Sequence, residues 1–590
     1  MRSAKTKTPT STPVNMGRLH DCSPRGVLRA SLGLLGWALA LIPLPLFSSD
    51  PPPPPKLEIA FSVVPLPSGV KLAGVQSPKW VDNAWLLGAF VVGDAAPTVG
   101  VLNIDTGEFR DLLATTPVRP WARPSKFQVF PDGRRFTVLE IDGNDATGKR
   151  TTTIAECFPD IINSQRIEVL PVEGIDDSGI QNREPRPGYD NETLFWTRVR
   201  FSDVVMLAAR LTKRSDGKAW VAGDPRVLNA LPKKWKQSIA GILQRGAVYE
   251  FKTTFPDGYA AFSATIAYPN FDNYELDLTT GATRRLTKYA GWDEGVDVHP
   301  SGAYFRFGSS RVNSRAFEAA SLVPRPGAGS YRRAIFEFPY YLDNPSKKRG
   351  LLETWVLDLF GDRVAGVYDS TDSFYFGQQL TADAGAEFQK SGGTTGWSPD
   401  GRRFASQERN QRGELRLELQ TVTNLPPVAP EPPPSGVLHD LIKRWAPKLS
   451  DYPEPDEQYV VTLPGPAGGS VTISATGTLL PGSPALDFKS VFLNYRDKDG
   501  LVLNGWEAVS LLGASHKANI VVSGSRNGFF VCDVVYWTGL DGYIQALGYN
   551  HAKLGEDEVV ERFNDLMVNF KTIDSVYELP WEAFRRTVED

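Results

Sequence analysis

Cysteine, methionine and histidine are scarce in this 590-residue chain: three, four and five residues respectively. Cys22, Cys157 and Cys532 form no CxxC pair and no Cys/His cluster, which excludes a structural zinc site. Their wide spacing reads as isolated thiols rather than a structural disulfide. His299 is the single histidine of the central region; His20 lies near the N-terminus, and His439, His516 and His551 lie beyond residue 436. A lyase that holds a metal through several converging histidines is therefore excluded. His299 stands in a turn and reads as a surface turn residue. No G-x-S-x-G pentapeptide occurs, so the nucleophile elbow of a serine hydrolase is missing. No cofactor is called for.

A basic excess is absent as well. The net charge is −4. Six of the 64 basic residues and two of the 68 acids precede residue 51, leaving −8 for the remainder. A protein that neutralises phosphates needs a basic face, so nucleic acid is excluded as a partner. Long apolar runs are limited to one, Leu32–Phe47, which follows Arg25 and Arg29. Its 16 residues, broken by Pro43 and Pro45, are short for a membrane span and suit an export signal. Residues 1–50 read as a signal peptide, or as a signal anchor if uncleaved, the one case with a membrane contact. The expected location is secreted or periplasmic. Pro51–Pro55 opens an expected Pro-rich spacer over 51–75.

Glycine (53), proline (46) and 11% aromatics are well represented, which favours short strands and tight turns. One phrase recurs: "VFPDGRRFTV" around Asp132, "TFPDGYAAFS" around Asp257, "VHPSGAYFRF" around Ser301 and "GWSPDGRRFAS" around Asp400. Weaker copies surround Asp82 ("KWVDNAWLLG") and Asp190 ("PGYDNETLFW"). Pro presets φ, Asp bonds the nearby backbone, and Gly takes positive φ; the alternation that follows marks a half-buried strand. A second phrase, a strand, a Thr-Gly turn and another strand, appears at Val99–Leu113 and, as "DxxTG", at Asn273–Thr287. Together they spell a four-stranded blade, and six copies predict six blades around an axis. "NET" at Asn191 is also a glycosylation acceptor in a eukaryotic secretory host.

Tyr274–Arg311, "YELDLTTGATRRLTKYAGWDEGVDVHPSGAYFRFGSSR", resembles the TolB-type propeller repeat, and "GWSPDGRRFAS" is its best single match. "LFGDRVAGVYDSTDSFYFGQQL" and "NYRDKDGLVLNGWEAVS" resemble segments of secreted TolB-like proteins. The resemblance implies an all-β chain: a six-bladed TolB-like β-propeller over 76–423, followed by a smaller antiparallel β-rich domain. It departs from TolB in leaving no room for an α/β domain ahead of the propeller. An insertion with helical turns is expected between Ser301 and Asp400.

Residues 424–436 ("NLPPVAPEPPPSG") form a Pro-rich linker, and 437–590 the tail domain. "VLHDLIKRWAPKL" predicts a short helix, the runs from Gln458 predict antiparallel strands, and "EDEVVERFNDLMVNF" predicts a terminal helix. Asp293, Glu294 and Asp297 in "GWDEGVDVHP" are candidate paired carboxylates, although no spacing singles out a pair. The expected function is a binding or scaffolding module taking a protein or carbohydrate at the propeller funnel, with Asp297 and Arg311 as the candidate lining residues. The alternative is an extracellular carbohydrate-active hydrolase or lyase using carboxylates on the same face.

Overall fold

A computed structural model describes residues 53–564 except 74–77, 115–119, 122–123, 142–149, 176–180, 200–203, 231–248, 267–270, 290–291, 310–321, 327–352, 365–373, 376, 381–387, 395, 411–413, 430–436, 453–458, 477–486, 511–514 and 539–543. The signal segment, most of the expected insertion and Arg311 lie outside the described residues.

The described chain is nearly all β, arranged as propeller-like blades followed by a separate eight-stranded sheet. After β1 (Ile59–Val63), the repeat around Asp82 holds β2 (Val70–Leu72), β3 (Lys79–Trp80), β4 (Trp85–Val92), β5 (Thr98–Asn103) and β6 (Phe109–Asp111). Here β2 and β3 both pair with β4. The Asp132 repeat is a meander of β7 (Pro124–Val129), β8 (Arg135–Ile141), β9 (Arg150–Phe158) and β10 (Arg166–Glu173). The Asp190 repeat has β11 (Gln181–Pro187), β12 (Thr193–Val199), β13 (Val204–Lys213) and β14 (Trp220–Val227). A short parallel pairing of β10 with β14 joins these two meanders at their outer edges. The Asp257 repeat has β15 (Tyr249–Thr254), β16 (Tyr259–Ala264), β17 (Asp272–Asp277) and β18 (Thr283–Arg285). The Ser301 repeat has β19 (Asp293–Val298), β20 (Tyr304–Ser309) and β21 (Glu353–Asp358). A hairpin of β22 (Arg363–Val364) and β23 (Phe374–Tyr375) follows, and β24 (Gln378–Gln379) completes that sheet on β21. The Asp400 repeat has β25 (Phe388–Thr394), β26 (Arg403–Asn410) and β27 (Leu415–Val422), and its outer strand is β1.

The turn phrases at Asp132, Asp190, Asp257, Ser301 and Asp400 therefore join the first two strands of their repeats, and the Asp82 phrase joins β3 to β4. The segment expected as a spacer corrects the sequence reading: Ile59–Val63 pairs with β27 in register from Ile59↔Val422 to Val63↔Glu418. Leu57 and Val64 on either side are buried. The proline run concealed a strand whose partner lies more than 350 residues downstream.

Each apolar cluster spans two consecutive repeats. Trp85 and Val101 pack with Phe136 and Ala155; Phe130 and Ile154 with Trp196 and Leu207; Phe195 and Met206 with Phe251 and Phe262. Ala261 and Leu286 pack with Phe305 and Trp355, and Val356 with Trp397 and Phe404. Ala405 and Leu417 then pack with Leu86 and Phe90, returning to the first repeat. Second strands are thus covered on both faces, so β12 is buried at every position. That is why "TLFWTRV" lacks the alternation expected of a half-buried strand.

The predicted short helix exists as α1 (Leu438–Ile442). It packs on the propeller-like body rather than on the tail. Leu438, Ile442 and Ala446 join the cluster of Phe195 and Phe251, and Trp445 Nε1 donates to the Leu278 carbonyl at 2.9 Å. Linker residue Asn424 is anchored too, accepting from Glu58 N at 3.0 Å and donating to Lys56 O at 2.9 Å.

The tail is an antiparallel meander of β28 (Tyr459–Pro464), β29 (Ser470–Thr476), β30 (Asp487–Arg496), β31 (Leu501–Ser510), β32 (Ser515–Gly524), β33 (Gly528–Thr538), β34 (Ile544–Leu554) and β35 (Asp557–Asn564). One face is buried and the other exposed, as the alternation in β32 records. The predicted terminal helix is corrected over its first half. Asp557–Asn564 is a strand paired with β34, entered through Gly555 at φ 66°. Adjacent β-branched Val559 and Val560 suit that pairing; the rest of the expected helix lies outside the described residues.

Candidate functional site

The Pro-Asp-Gly turns do two jobs. Within each turn, the side-chain oxygen caps backbone N–H groups: Asp82 Oδ1 accepts from Ala84 and Trp85, and Asp132 Oδ1 from Arg134 and Arg135. Between turns, two copies of "PDGRR" clasp two copies of "DN". Asp132 N donates to Asn191 Oδ1 at 3.0 Å, and Arg135 Nη2 to the Asn191 carbonyl at 2.9 Å. Asp400 N donates to Asn83 Oδ1 at 2.8 Å, and Arg403 Nη2 to the Asn83 carbonyl at 2.6 Å. The second clasp links the last repeat to the first. The weaker copies of the phrase are the complementary halves of the joint, a relation that spacing alone does not reveal.

His299 is part of the same joinery. It is buried at 2% exposure, and its Nε2 lies 2.9 Å from the Gly401 carbonyl of the next repeat. Its ring meets Trp397 edge-on at 4.8 Å. The reading as a surface turn residue is corrected: the imidazole replaces the Arg–Asn clasp at this joint. Burial pushes its pKa down, favouring the neutral ring.

The first strand of a repeat carries a bulge against the second in five repeats, at Ser125/Gln128, Arg183/Arg186, Phe251/Thr253, Glu294/Asp297 and Lys390/Thr394. Bulges re-aim side chains, and the carboxylates of "GWDEGVDVHP" point three ways. Asp293, fully buried, accepts from Ser309 Oγ on the neighbouring strand of its own sheet. Glu294 turns to the preceding repeat, accepting from Lys252 Nζ at 2.9 Å and from Trp292 Nε1 at 2.8 Å. Lys252 also holds Glu250 at 2.6 Å. Asp297 turns to the following repeat and accepts from Trp397 N at 2.6 Å. The three acids tie three repeats together, and no two of them face one another across a reaction space.

Asp297 stands beside the seam between the Ser301 and Asp400 repeats. Opposite it in register is Arg306, buried at 2% exposure, with its guanidinium 5.8 Å from the Phe404 ring. Burial pushes the Arg306 pKa down to about 10, against the pull of Asp297. Strand parity places Arg306 and Thr354 on this seam, with Ser406, Glu408, Glu418 and Gln420 facing them from β26 and β27. All six are buried. Gln420 Nε2 donates to Glu418 at 2.6 Å, and Arg416 Nε to Glu408 at 2.6 Å. Arg306 Nε, Ser406 Oγ and Gln420 Oε1 are buried with no hydrogen-bond partner. Unmet donors and acceptors gathered in one seam are groups that water or a polar ligand can satisfy. Sequence reasoning found Asp297 but missed this layer. Its signal was a run of polar residues, "SQERN" and "LELQ", where other repeats have Val, Leu and Ala.

A second polar pair stands within the Asp257 repeat. Asp272, fully buried, is 2.7 Å from Arg285 Nη2. Burial pushes its pKa well above the usual carboxylate range; Asp293 and Asp362 add to this and Arg285 opposes it. Among the described residues, no group of three or more His, Cys, Asp or Glu is placed to hold a metal ion.

No family model matches the chain. A curated relative, an uncharacterised protein of Agrobacterium fabrum, is 27% identical over 173 residues, 25% of this chain and 51% of that protein. The chain thus spans about half the length of the curated relative it matches. Similar solved structures are TolB proteins. One is an Agrobacterium tumefaciens protein assigned as TolB (TM-score 0.29, 14% identity, 55% of this chain and 91% of that one). Another is TolB of Acinetobacter baumannii (TM-score 0.30, 11% identity, 56% and 61%). Prolyl oligopeptidase B of Galerina marginata is similar at TM-score 0.29 and 11% identity, over 72% and 47%. At such TM-scores the likeness decides nothing about activity, and the propeller-like architecture rests on the strand pairing itself.

Proposed function

We propose that the chain is an exported, six-bladed TolB-like propeller that acts as a binding or scaffolding module. The cyclic run of shared clusters and the Asn83 clasp support the closed six-blade count. The N-terminal apolar run supports export. A ligand or partner enters at the axial funnel, beside Asp297, and reaches the polar seam lined by Arg306, Ser406 and Gln420. The observation that carries this reading is the set of three buried polar atoms with unmet hydrogen bonds. A group rich in hydroxyls, such as a carbohydrate, matches that mix of donor and acceptor. Binding rather than turnover is favoured because Asp293, Glu294 and Asp297 are each committed to a neighbour.

The test is a thermal-shift screen of the chain from Pro51 onward against oligosaccharides and cell-wall fragments, followed by product analysis. A sugar that stabilises the parent, loses at least fivefold affinity in Ser406→Ala and survives intact supports the proposal. A sugar that is consumed establishes the carbohydrate-active alternative. Stabilisation unchanged in Ser406→Ala places the site elsewhere.

A further inference from the structure

The buried face of the eight-stranded sheet is walled by apolar side chains such as Leu503, Ile520 and Phe530, yet Glu507 and His516 stand on it. His516 Nε2 lies 2.8 Å from Glu507 Oε1, and both side chains are almost wholly buried. A carboxylate in such a wall needs a cation with well-aligned donors. It gets one from outside the sheet. Arg325, between β20 and β21 and 182 residues earlier, donates from Nε to Glu507 Oε2 at 2.8 Å and from Nη2 to Oε1 at 2.7 Å. Its third nitrogen, Nη1, donates to the Val323 carbonyl at 2.9 Å. Its guanidinium carbon lies 4.2 Å from the Phe530 ring centroid. The planar fork is thus read in full: two parallel bonds to the carboxylate, an aromatic face against the plane, and no water access.

We propose that this face of the tail sheet is a guanidinium-binding site for an arginine presented on an extended segment, occupied in this chain by its own Val323–Arg325. The tail domain then acts as an arginine-recognition module, and the blade insertion supplies its ligand in cis. Glu507 sets the bidentate geometry, Phe530 supplies the stacking surface, and His516 holds the carboxylate through Oε1, the oxygen that Arg325 Nη2 also bonds. A lysine presents neither the fork nor the plane, so the site discriminates between the two cations.

Cys532 provides a reporter. The register aligns Glu507, Ala518, Cys532 and Asn550 in one row across four strands, and Cys532 carries a buried thiol whose Sγ donates to the His516 carbonyl at 3.3 Å. The experiment uses the full chain, labels thiols with a maleimide, and reads Cys532 by peptide mass. In Arg325→Ala, labelling is expected to rise at least tenfold, and millimolar ethylguanidinium should return it to near the parent rate. Ethylammonium, equal in charge but without the fork, should not. The double variant Arg325→Ala/Glu507→Gln should ignore both cations, and the parent, with its site filled, should not respond. If Arg325→Ala does not fold, Arg325→Lys serves instead: partial exposure of Cys532, suppressed by ethylguanidinium. Labelling that ethylguanidinium leaves unchanged in the folded variant, or suppression that ethylammonium matches, overturns the proposal.

Discussion

Leu57→Ala tests whether the segment after the proline run is a structural strand. Leu57 is 6% exposed and packs with Val356, Leu380 and Trp397, so the substitution removes three buried carbons from the last seam. Leu→Ala changes at such sites cost about 2–5 kcal/mol. That cluster is small, with six buried members, so the lower end applies, about 2–3 kcal/mol. Phe61, within β1 itself, is 41% exposed, and Phe61→Ala should cost under about 1 kcal/mol despite the larger deletion. The assay is thermal unfolding followed by tryptophan fluorescence, with both variants compared to the parent. The expected ratio of unfolding constants at fixed temperature is about 30-fold for a loss of ~2 kcal/mol. Removal of residues 53–64 goes further: it strips β1 from β27 and leaves an unpaired edge prone to association. If Leu57→Ala and that truncation both melt within a degree of the parent, residues 53–64 are a spacer and the pairing described above is wrong.

Gly401 has φ 72°, and a Cβ there would overlap the His299 ring, whereas Gly258 has φ 86° and open space around it. Gly258→Ala should cost only the conformational ~1–2 kcal/mol, and Gly401→Ala measurably more in the same denaturation series; equal losses would remove His299 from the joint. Asp272 takes up its proton on folding, because its folded pKa stands well above 3.8. Stability should therefore fall as pH rises from about 3.8 through the folded pKa, by up to ~1.4 kcal/mol per pH unit, and Asp272→Asn should abolish that slope in pH-dependent melts. Glu507 behaves with the opposite sign. Burial pushes its carboxyl up, but Arg325 and His516 outweigh burial and hold it well below 4.5. Its contribution is present above about 4.5 and is lost as pH falls through the folded pKa; acid melts of Glu507→Gln should show less loss below pH 4.5 than the parent.

Much of the architecture was legible because turn chemistry is local. Asp132, Asp190 and Asp400 bind their own neighbouring amides, and Gly133, Gly258, Gly302 and Gly401 take positive φ, so the phrase is readable wherever it occurs. The strand at Ile59–Val63 was not legible, since its partner among the described residues is β27 and no local signal announces a pairing across such a distance. The first half of the helix expected over Glu556–Phe570 failed for a related reason. Acids first and apolar spacing fit both periods, and the edge of β34 decided for the strand at Asp557–Asn564.

The candidate site divides in the same way. "GWDEGVDVHP" advertised its carboxylates, but bulged pairing sends Asp293, Glu294 and Asp297 to three different partners. His299 looked like one more turn residue until Gly401 and Trp397 closed over it. By itself the sequence determined the repeats, the turn ends and the strand-rich class, because each depends on residues a few positions apart. Only the tertiary structure decided which polar groups end up buried together: Arg306 with Ser406 and Gln420, and Arg325 with Glu507. Those meetings depend on strands brought side by side from distant parts of the chain, and the cost of burying an unmatched charge is paid only once they have met.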